Sequence, residues 1–253
     1  MQIKDKVVAI TGGARGIGKA IAAAFAERGA RIALVDLVPA DLEVTRSELA
    51  GHGVDVRAYA ANVAKEDQVC AALDGMVADF GRLDVMVNNA GIIKDAMLVK
   101  VKDGAVVGKM SLDQWQAVID VNLTGVFLCG REAAEWMIRL GHGGVIVNIA
   151  SISKAGNAGQ SNYSAAKAGV SALAVVWARE LARFGIRAAS IAPGFTRTDI
   201  LSAMPPEMLE KMMAPVPLKR LGLPEEVANA AVFIAENDYF TGRSIDLDGG
   251  LRL

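Results

Sequence analysis

The sequence predicts an α/β protein of three layers, in which a doubly wound sheet of seven parallel strands lies between two layers of helices. Three observations support this fold class. Short apolar runs rich in β-branched residues alternate with stretches of helical periodicity, short loops join them, and 53% of the 253 residues are hydrophobic. Strands separated by helices pair in parallel, with right-handed crossovers that cover both faces of the sheet.

Each strand is predicted from an apolar run that ends in a turn signal. The predicted strands are Val7–Thr11, Arg31–Val35, Val54–Ala60, Val85–Val87, Val145–Ile149, Ile186–Ile191 and Ser244–Leu247. Each helix is predicted from apolar residues spaced three or four apart. The predicted helices are Ile17–Arg28, Asp41–Ala50, Glu66–Phe80, Leu112–Leu140, Asn162–Phe184 and Pro224–Glu236. Gly29, Gly51 and Gly81 follow the first three helices, where glycine favours helix termination.

Two segments depart from this alternation. Val99–Met110 alternates apolar and polar residues around Asp103-Gly104, a pair that favours a two-residue hairpin turn with positive φ at both positions. Phe195–Leu221 is rich in Met and Pro and is predicted to form a flexible substrate flap. Its methionines could line an apolar pocket or pack a short helix. No linker or repeat divides the chain, so we expect one domain over residues 1–253.

The charge balance and the cysteine content exclude several classes of protein. With 27 Lys and Arg, 28 Asp and Glu and a net charge of −1, nothing indicates a nucleic-acid or membrane surface. The 2 cysteines, Cys70 and Cys129, favour a reducing compartment over a disulfide framework. No signal peptide and no apolar stretch of ~18 residues is present, so a cytoplasmic location is expected. His52 and His142 have no partner at metal-ligand spacing, and no metal site is predicted.

A glycine-rich turn follows the first predicted strand and precedes the first predicted helix. Glycine permits a tight turn and lets backbone N–H groups approach a pyrophosphate, to which a helix N-terminus adds partial positive charge. A glycine-rich connection without a ligand is the alternative, but the strand–turn–helix context favours dinucleotide binding. The candidate cofactor-binding residues of this loop are Gly12, Arg15, Gly16, Ile17 and Gly18.

Asp36 follows the second predicted strand, where the adenosine ribose of a dinucleotide would lie. A carboxylate there accepts hydrogen bonds from the ribose hydroxyls and repels a 2′-phosphate, at a cost of a few kcal/mol for charges ~5 Å apart. The alternative role is to cap the next helix, for which Asp41 is better suited. Arg15 favours the opposite cofactor, because it could pair with a 2′-phosphate. We give Asp36 more weight and predict NAD(H), with NADP(H) as the alternative.

Ser151, Tyr163 and Lys167 form the candidate catalytic group. Ser151 follows the fifth predicted strand, and Tyr163 and Lys167 lie four residues apart on one face of the next helix. A tyrosine with an ordinary pKa is a poor base at neutral pH, but a lysine ammonium ~4 Å away would lower that pKa. Tyr163 could then exchange a proton with a substrate oxygen held by Ser151. An amphipathic helix face would explain the Tyr-x-x-x-Lys spacing alone; the serine and the glycine-rich loop favour catalysis.

Together these motifs resemble those of the short-chain dehydrogenase/reductase family, in its single-domain subgroup, over essentially the whole chain. They occur in the family's order and spacing: Thr11-Gly12-x-x-x-Gly16-x-Gly18, Asn88-Asn89-Ala90-Gly91, Asn122, Ser151, Tyr163-x-x-x-Lys167 and Pro193-Gly194. The resemblance implies a Rossmann fold. It also implies a nicotinamide-dependent oxidoreductase that interconverts a carbonyl group and a secondary alcohol.

The resemblance also implies roles for residues that no local pattern singles out. Asn122 would complete a catalytic tetrad by anchoring a water that links Lys167 to a proton relay. The further cofactor-binding residues that it implies are Asn62, Val63, Asn89, Ala90, Gly91, Tyr163, Lys167, Pro193, Gly194 and Thr196. Asn62-Val63 stands where many relatives have Asp-Val, and the Asn62 amide oxygen could still accept a hydrogen bond from adenine.

Within the family, Gly156–Tyr163 is similar to the same segment of 3-oxoacyl-acyl carrier protein reductases. This likeness implies that a 3-oxoacyl thioester, of acyl carrier protein or CoA, is reduced to the 3-hydroxyacyl form. The hairpin Val99–Met110 is longer than in those reductases and resembles in position an insertion of 3-hydroxyacyl-CoA dehydrogenases. A secondary alcohol dehydrogenase or ketone reductase is the alternative, because this fold hosts many substrates. A non-catalytic NAD(H) sensor is a third hypothesis.

The resemblance finally implies a homotetramer. Small residues on the helix Asn162–Phe184 could allow close packing against a partner helix, and Val118, Val121 and Trp136 could contribute from the long helix before it. Packing within one chain is the alternative explanation of these residues, and the family resemblance decides between the two.

Overall fold

The computed structural model describes residues 1–198, 201 and 204–252. Its strands are β1 (Val7–Thr11), β2 (Arg31–Asp36), β3 (Val56–Ala60), β4 (Val85–Asn88), β5 (Val99–Lys102), β6 (Ala105–Lys109), β7 (Gly144–Ile149), β8 (Ile186–Pro193) and β9 (Ser244–Leu247). The main sheet has 7 parallel strands in the order β3-β2-β1-β4-β7-β8-β9. The chain first adds strands outwards from β1 to the outer strand β3, and then from β4 to the outer strand β9 on the other side. The predicted doubly wound fold is therefore confirmed, with a ligand-binding crevice expected where the winding reverses.

Helices cover both faces of the sheet. They are α1 (Gly16–Ala26), α2 (Pro39–Ala50), α3 (Glu66–Phe80), α4 (Leu112–Ile119), α5 (Gly125–Leu140), α6 (Ser161–Glu180), α7 (Pro206–Met213) and α8 (Pro224–Glu236). One core lies under α1, α2 and α8 around Phe25, and a second lies under α3, α5 and α6 around Met76. Alternate residues of each strand enter opposite cores, so burial on both sides explains the continuous apolar runs of the strands.

Three helix predictions need correction. The predicted helix Leu112–Leu140 is interrupted at Asp120–Thr124 by a π-helical turn that holds Asn122. A single wider turn leaves the three- or four-residue spacing intact on either side of it, so spacing alone predicts one continuous helix. The predicted helix Asn162–Phe184 ends as an α-helix at Glu180 and continues as a separate 3₁₀ turn. Asp41 does not cap α2, which starts at Pro39 and has no side-chain cap.

Of the predicted interface residues, Val118 must be excluded. Its side chain is completely buried within its own chain, on the inner face of α4. Residues with exposed apolar surface lie further along α5 and α6, namely Phe127, Val175 and Val176. Amphipathic spacing alone did not separate the inner from the outer faces of these helices.

The hairpin is confirmed, with β5 and β6 antiparallel and positive φ at both Asp103 and Gly104. Its residues are largely exposed. The segment predicted as a flap, Phe195–Leu221, includes α7, while its residues 199–200 and 202–203 lie outside the described part. Among the residues that the structure describes, no helix is long and apolar enough to cross a membrane.

Candidate active site

The candidate residues converge on one edge of the sheet. The turns after β1, β2, β4, β7 and β8 all leave the carboxyl ends of parallel strands, so they meet at the same edge. The long helices contribute Asn122, from the π-helical turn, and Tyr163 and Lys167, from the start of α6.

The glycine-rich loop is held in a fixed shape. Gly12 and Gly16 have φ of 62° and 54°, and a Cβ on Gly18 would lie only 2.1 Å from the Gly12 carbonyl oxygen. The side chain of Asn89 donates hydrogen bonds to the carbonyls of Thr11 and Gly12, both at 3.0 Å. These features leave room for the close approach of a pyrophosphate to the start of α1. The loop therefore fits a dinucleotide.

Thr11 was not among the predicted site residues. Its hydroxyl oxygen accepts from the backbone N–H groups of Asn89, at 3.0 Å, and Ala90, at 3.1 Å. Thr11 thus joins the turn after β4 to the glycine-rich loop. A threonine that ends a buried apolar strand is the signal that could have identified it.

Asp36 lies beside the same loop. Its carboxylate accepts from the backbone N–H of Ala14, at 3.1 Å, and of Leu37, at 2.7 Å. Since α2 has no side-chain cap, the helix-capping alternative for Asp36 is wrong. A carboxylate has about four lone-pair positions, so Asp36 can still accept hydrogen bonds from ribose hydroxyls. Arg15, at the N-cap of α1, is exposed.

The turn after β3 presents fewer groups to a ligand than the sequence predicts. The side-chain oxygen of Asn62 accepts from the Ala64 N–H at 3.0 Å, which uses one of its two lone pairs. The Val63 side chain is buried and packs against Gly125, where a Cβ would lie 2.8 Å from it. A ligand would therefore meet the Asn62 amide and the backbone of Val63 rather than the Val63 side chain.

The structure brings Ser151, Tyr163 and Lys167 together. Ser151 begins a 3₁₀ turn after β7, and its hydroxyl oxygen accepts from the Ser153 N–H at 3.1 Å. The Ser151 hydroxyl lies near enough to the Tyr163 phenol to favour its ionised form. Lys167 is 3% exposed; its Nζ donates to the Ile149 carbonyl at 2.7 Å and lies 5.6 Å from the centre of the Tyr163 ring.

The direction of the Tyr163 titration differs from the expectation drawn from the sequence. Burial of the phenol raises the pKa of Tyr163, the nearby Ser151 hydroxyl opposes this, and the Asp95 carboxylate raises the pKa further. Burial also lowers the pKa of Lys167 to about 8. The expected lowering of the Tyr163 pKa is therefore not found in the protein chain alone. Desolvation disfavours both charged forms, and the lysine is turned to a neutral carbonyl.

Two buried asparagines fix the surroundings of this group. The Asn122 side chain accepts from the Ile92 N–H at 2.8 Å and donates to the Ile92 carbonyl at 2.9 Å. Asn162, which no sequence motif singled out, donates to the carbonyls of Lys94, at 3.0 Å, and Gln114, at 2.9 Å, and accepts from the Tyr163 N–H at 2.8 Å. Both side chains tie the chain after β4 to the helices that carry the candidate catalytic residues.

The turn after β8 closes the far side of the site. Gly194 follows Pro193 and donates to the Leu247 carbonyl at 2.7 Å, and a Cβ on Gly194 would lie 2.8 Å from the backbone of Asp248. The buried Thr196 donates to the Gly194 carbonyl at 3.3 Å. Within the described part of the chain, no group of three or more His, Cys, Asp and Glu side chains could hold a metal ion.

A parallel sheet with a glycine-rich loop at its first crossover and a Ser–Tyr–Lys group at the same edge defines a nicotinamide-dependent oxidoreductase. The chain belongs to the short-chain dehydrogenase/reductase family. A family model described as enoyl-(acyl carrier protein) reductase matches residues 12–252.

Individual relatives match over almost the whole chain. The 3-oxoacyl-[acyl-carrier-protein] reductase FabG of Thermotoga maritima is 41% identical over 254 residues, which cover 99% of both chains. FabG of Staphylococcus aureus is 40% identical, covering 97% of this chain and 98% of its own. A solved short-chain type dehydrogenase/reductase from Mycobacterium marinum has a TM-score of 0.89 and 36% identity, covering 98% of this chain and 96% of its own.

Proposed function

We propose that this protein reduces a 3-oxoacyl thioester to the 3-hydroxyacyl form with a nicotinamide nucleotide. The observation that carries the proposal is the Ser151–Tyr163–Lys167 group, placed at the same sheet edge as the glycine-rich loop. The substrate class is supported by the names of the Thermotoga and Staphylococcus relatives, which are 3-oxoacyl-[acyl-carrier-protein] reductases. We include CoA thioesters as well as carrier-protein thioesters, since both present the same reacting group.

The proposed roles follow from the contacts of each residue. Ser151 accepts from a backbone N–H, so its own proton is available to the substrate oxygen. Tyr163 transfers the proton, as acid in reduction and as base in oxidation. Lys167 supplies positive charge beside the Tyr163 ring, and its lowered pKa makes it readier to release a proton. Asn122 holds the chain after β4 in place and would anchor the proton relay.

A nicotinamide cofactor would be held by the residues around the glycine-rich loop and would supply or accept a hydride. We propose NAD(H) as the preferred form. Asp36 places a negative charge beside the loop, where it favours ribose hydroxyls over a 2′-phosphate. The exposed Arg15 acts in the opposite direction, so the preference should be measurable rather than absolute. The cofactor-binding set we propose is Gly12, Arg15, Gly16, Ile17, Gly18, Asp36, Asn62, Val63, Asn89, Ala90, Gly91, Tyr163, Lys167, Pro193, Gly194 and Thr196.

A substrate panel tests the proposed function. Purified protein is assayed with NADH and NADPH against acetoacetyl-CoA, a 3-oxoacyl carrier-protein thioester and an aryl ketone of similar carbonyl reactivity. We expect turnover of the thioesters. Turnover of the ketone without the thioesters would establish the alternative of a ketone reductase or secondary alcohol dehydrogenase. Tight cofactor binding without turnover of any carbonyl would favour the sensor hypothesis.

We also propose that the chain acts as one domain over residues 1–253 and assembles as a homotetramer. Exposed apolar side chains on α5, α6 and α8 support the assembly: Phe127 is 42%, Val176 is 45% and Phe233 is 45% exposed. Burial of these side chains against a partner would remove their apolar surface from water, which is favourable. Sedimentation at micromolar concentration should give the tetramer mass, and a monomer mass would contradict the assembly.

A further inference from the structure

A chain of hydrogen bonds connects an exposed carboxylate to the candidate catalytic serine. Asp95 lies in the segment between β4 and β5, and its carboxylate accepts from the Gln160 Nε2 at 2.9 Å. The Gln160 Oε1 accepts from the Ser153 hydroxyl at 2.9 Å and from the Asn157 side chain at 3.0 Å. The Ser153 N–H in turn donates to the Ser151 hydroxyl oxygen at 3.1 Å.

The carboxylate determines which way the Gln160 amide points. An ionised carboxylate can only accept, so it selects the NH₂ end of the amide and turns the oxygen end towards Ser153 and Asn157. If the amide were reversed, its NH₂ group would meet the donors of Asn157 and Ser153. Asp95 therefore keeps an acceptor in place for the buried Ser153 hydroxyl, which belongs to a residue that is 6% exposed.

The orientation of Ser153 matters for Ser151. Because the Ser153 N–H donates to the Ser151 oxygen, the Ser151 hydroxyl keeps its own proton for an acceptor such as the Tyr163 oxygen or a substrate oxygen. A displaced Ser153 would release this constraint. Small displacements of such groups reduce turnover, since proton transfer and oxygen binding depend on short, aligned contacts.

The same two segments are joined a second time through the backbone. The Ala96 N–H donates to the Gly159 carbonyl at 2.9 Å, and Ala96 forms a parallel bridge with Gln160. Gly159 has a φ of 82°, a conformation that suits glycine. The backbone bridge holds the two segments together without Asp95. The Asp95 carboxylate is therefore not needed to join them, and its contact with Gln160 acts on the orientation of the Gln160 amide.

We propose that Asp95 is a positioning residue that, through Gln160 and Ser153, fixes the donor direction of the Ser151 hydroxyl. Asp95, on the segment after β4, and Lys167, on α6, are both charged groups near Tyr163. Asp95 therefore has a second effect that can be measured separately. Its negative charge raises the pKa of Tyr163, so its removal should lower that pKa.

Two substitutions separate the two effects. Asp95→Ala removes both the acceptor and the charge, whereas Asp95→Asn removes the charge and keeps an acceptor oxygen for Gln160. We expect Asp95→Ala to reduce kcat by about fivefold to tenfold, the size of one lost hydrogen bond of ordinary strength, with little change in the KM for the nicotinamide nucleotide. Asp95→Asn should restore kcat to within about twofold of the wild type.

The pH profile provides the second measurement. In the oxidation direction, where Tyr163 must lose its proton, both variants should move the rising limb of kcat to lower pH. Absorbance titration of the phenol, taken as the difference from Tyr163→Phe, should move in the same direction without any substrate. Asp103→Asn, which removes an exposed carboxylate from the hairpin turn, is the matched control and should change neither kcat nor the limb.

This inference rests on the proposed proton-transfer role of Tyr163, and the assay can use whichever carbonyl substrate the wild type reduces. Full activity of Tyr163→Phe would therefore count against the proposed function. Wild-type kcat in Asp95→Ala would overturn the positioning role alone. Equal losses in Asp95→Ala and Asp95→Asn, with an unmoved pH limb, would also overturn it, because the acceptor would then have no separate effect.

Discussion

The two edges of the sheet use buried charge in opposite ways. At the amino edge, the Asp84 carboxylate is 4% exposed and accepts from Arg82 at 2.7 and 2.5 Å and from the Val7 N–H at 2.9 Å. Lys6 approaches it to 3.4 Å. At the carboxyl edge, Lys167 is just as buried, but it donates to a neutral carbonyl.

The pKa directions record this difference. Burial alone would raise the pKa of Asp84, but the hydrogen bonds from Arg82 and Val7 outweigh it and hold that pKa below its ordinary value. At the carboxyl edge burial prevails, raising the pKa of Tyr163 and lowering the pKa of Lys167 to about 8. A buried charge with charged partners stabilises the fold, whereas buried groups that favour their neutral forms are suited to transferring protons.

Tyr163→Phe should give the largest effect at the carboxyl edge. The substitution keeps the ring and removes the transferable proton, so turnover should fall by about 10²-fold or more. Cofactor binding, measured by quenching or calorimetry, should change little, and so should the free energy of unfolding. Near-normal turnover would show that Tyr163 is not the proton donor.

Asp84→Asn should give the largest effect at the amino edge. The amide can still accept from Val7, but it leaves Arg82 and Lys6 without their counter-ion. We expect a loss of about 2 kcal/mol in the free energy of unfolding at neutral pH, measured in urea. The kcat of the folded variant should stay close to that of the wild type. A large fall in kcat would contradict the separation of the two edges.

The pH dependence of that loss has a defined sign. The folded-state pKa of Asp84 is depressed, so its contribution is present above the unfolded pKa of about 3.9 and is lost as the pH falls through the lower folded value. The difference between wild type and Asp84→Asn should therefore be constant near neutrality and shrink below about pH 4. Urea denaturation at several pH values measures this directly.

Asp36 tests whether charge at the carboxyl edge selects the cofactor. We expect the wild type to prefer NADH by about tenfold or more in kcat/KM, which is roughly 1.4 kcal/mol. Asp36→Ala should narrow or reverse this preference, because Arg15 then acts unopposed on the 2′-phosphate. Equal use of both cofactors by the wild type would contradict the prediction.

A second variant at this position separates charge from loop geometry. Asp36→Asn removes the charge but keeps an acceptor for the Ala14 N–H, which the carboxylate holds at 3.1 Å. If repulsion of the 2′-phosphate sets the preference, Asp36→Asn should gain efficiency with NADPH while keeping most of its efficiency with NADH. A matching loss with both cofactors would instead indicate a disturbed loop.

Most of the fold was predictable because it depends on periodic burial. Strands buried on both faces, such as Val7–Thr11, have continuous apolar runs, and each is followed by a recognisable helix. The hairpin was predictable because Asp103-Gly104 favours one turn type. The π-helical turn at Asp120–Thr124 was not predictable, since helical spacing continues on both sides of it.

The site was predictable only where a motif carries the chemistry. Tyr163 and Lys167 share a helix face, and their spacing indicates contact. The directions of their pKa shifts depend on how deeply each side chain is buried, and a single sequence does not give the burial of each residue. Asp84 and Asn162 were missed for a related reason: each contacts partners that are distant along the chain, such as Val7 or Lys94.

The smallest expected effect comes from an ion pair that lies at the carboxyl edge yet resembles those of the amino edge. Lys154, three residues after Ser151, pairs with Asp246 of β9 at 2.5 Å and donates to Ser244 at 3.1 Å. Because Asp246 is 54% exposed, solvent screens the pair, and Lys154→Met should cost at most about 1 kcal/mol in urea denaturation. Its kcat should stay within about twofold of the wild type, since the Lys154 side chain contacts β9, whereas the Ser151 hydroxyl accepts from the Ser153 N–H. A tenfold loss of kcat with unchanged stability would mean that an ion pair at the carboxyl edge contributes to catalysis. Charge pairing would then not be confined to stabilising the fold, which contradicts the contrast between the two edges.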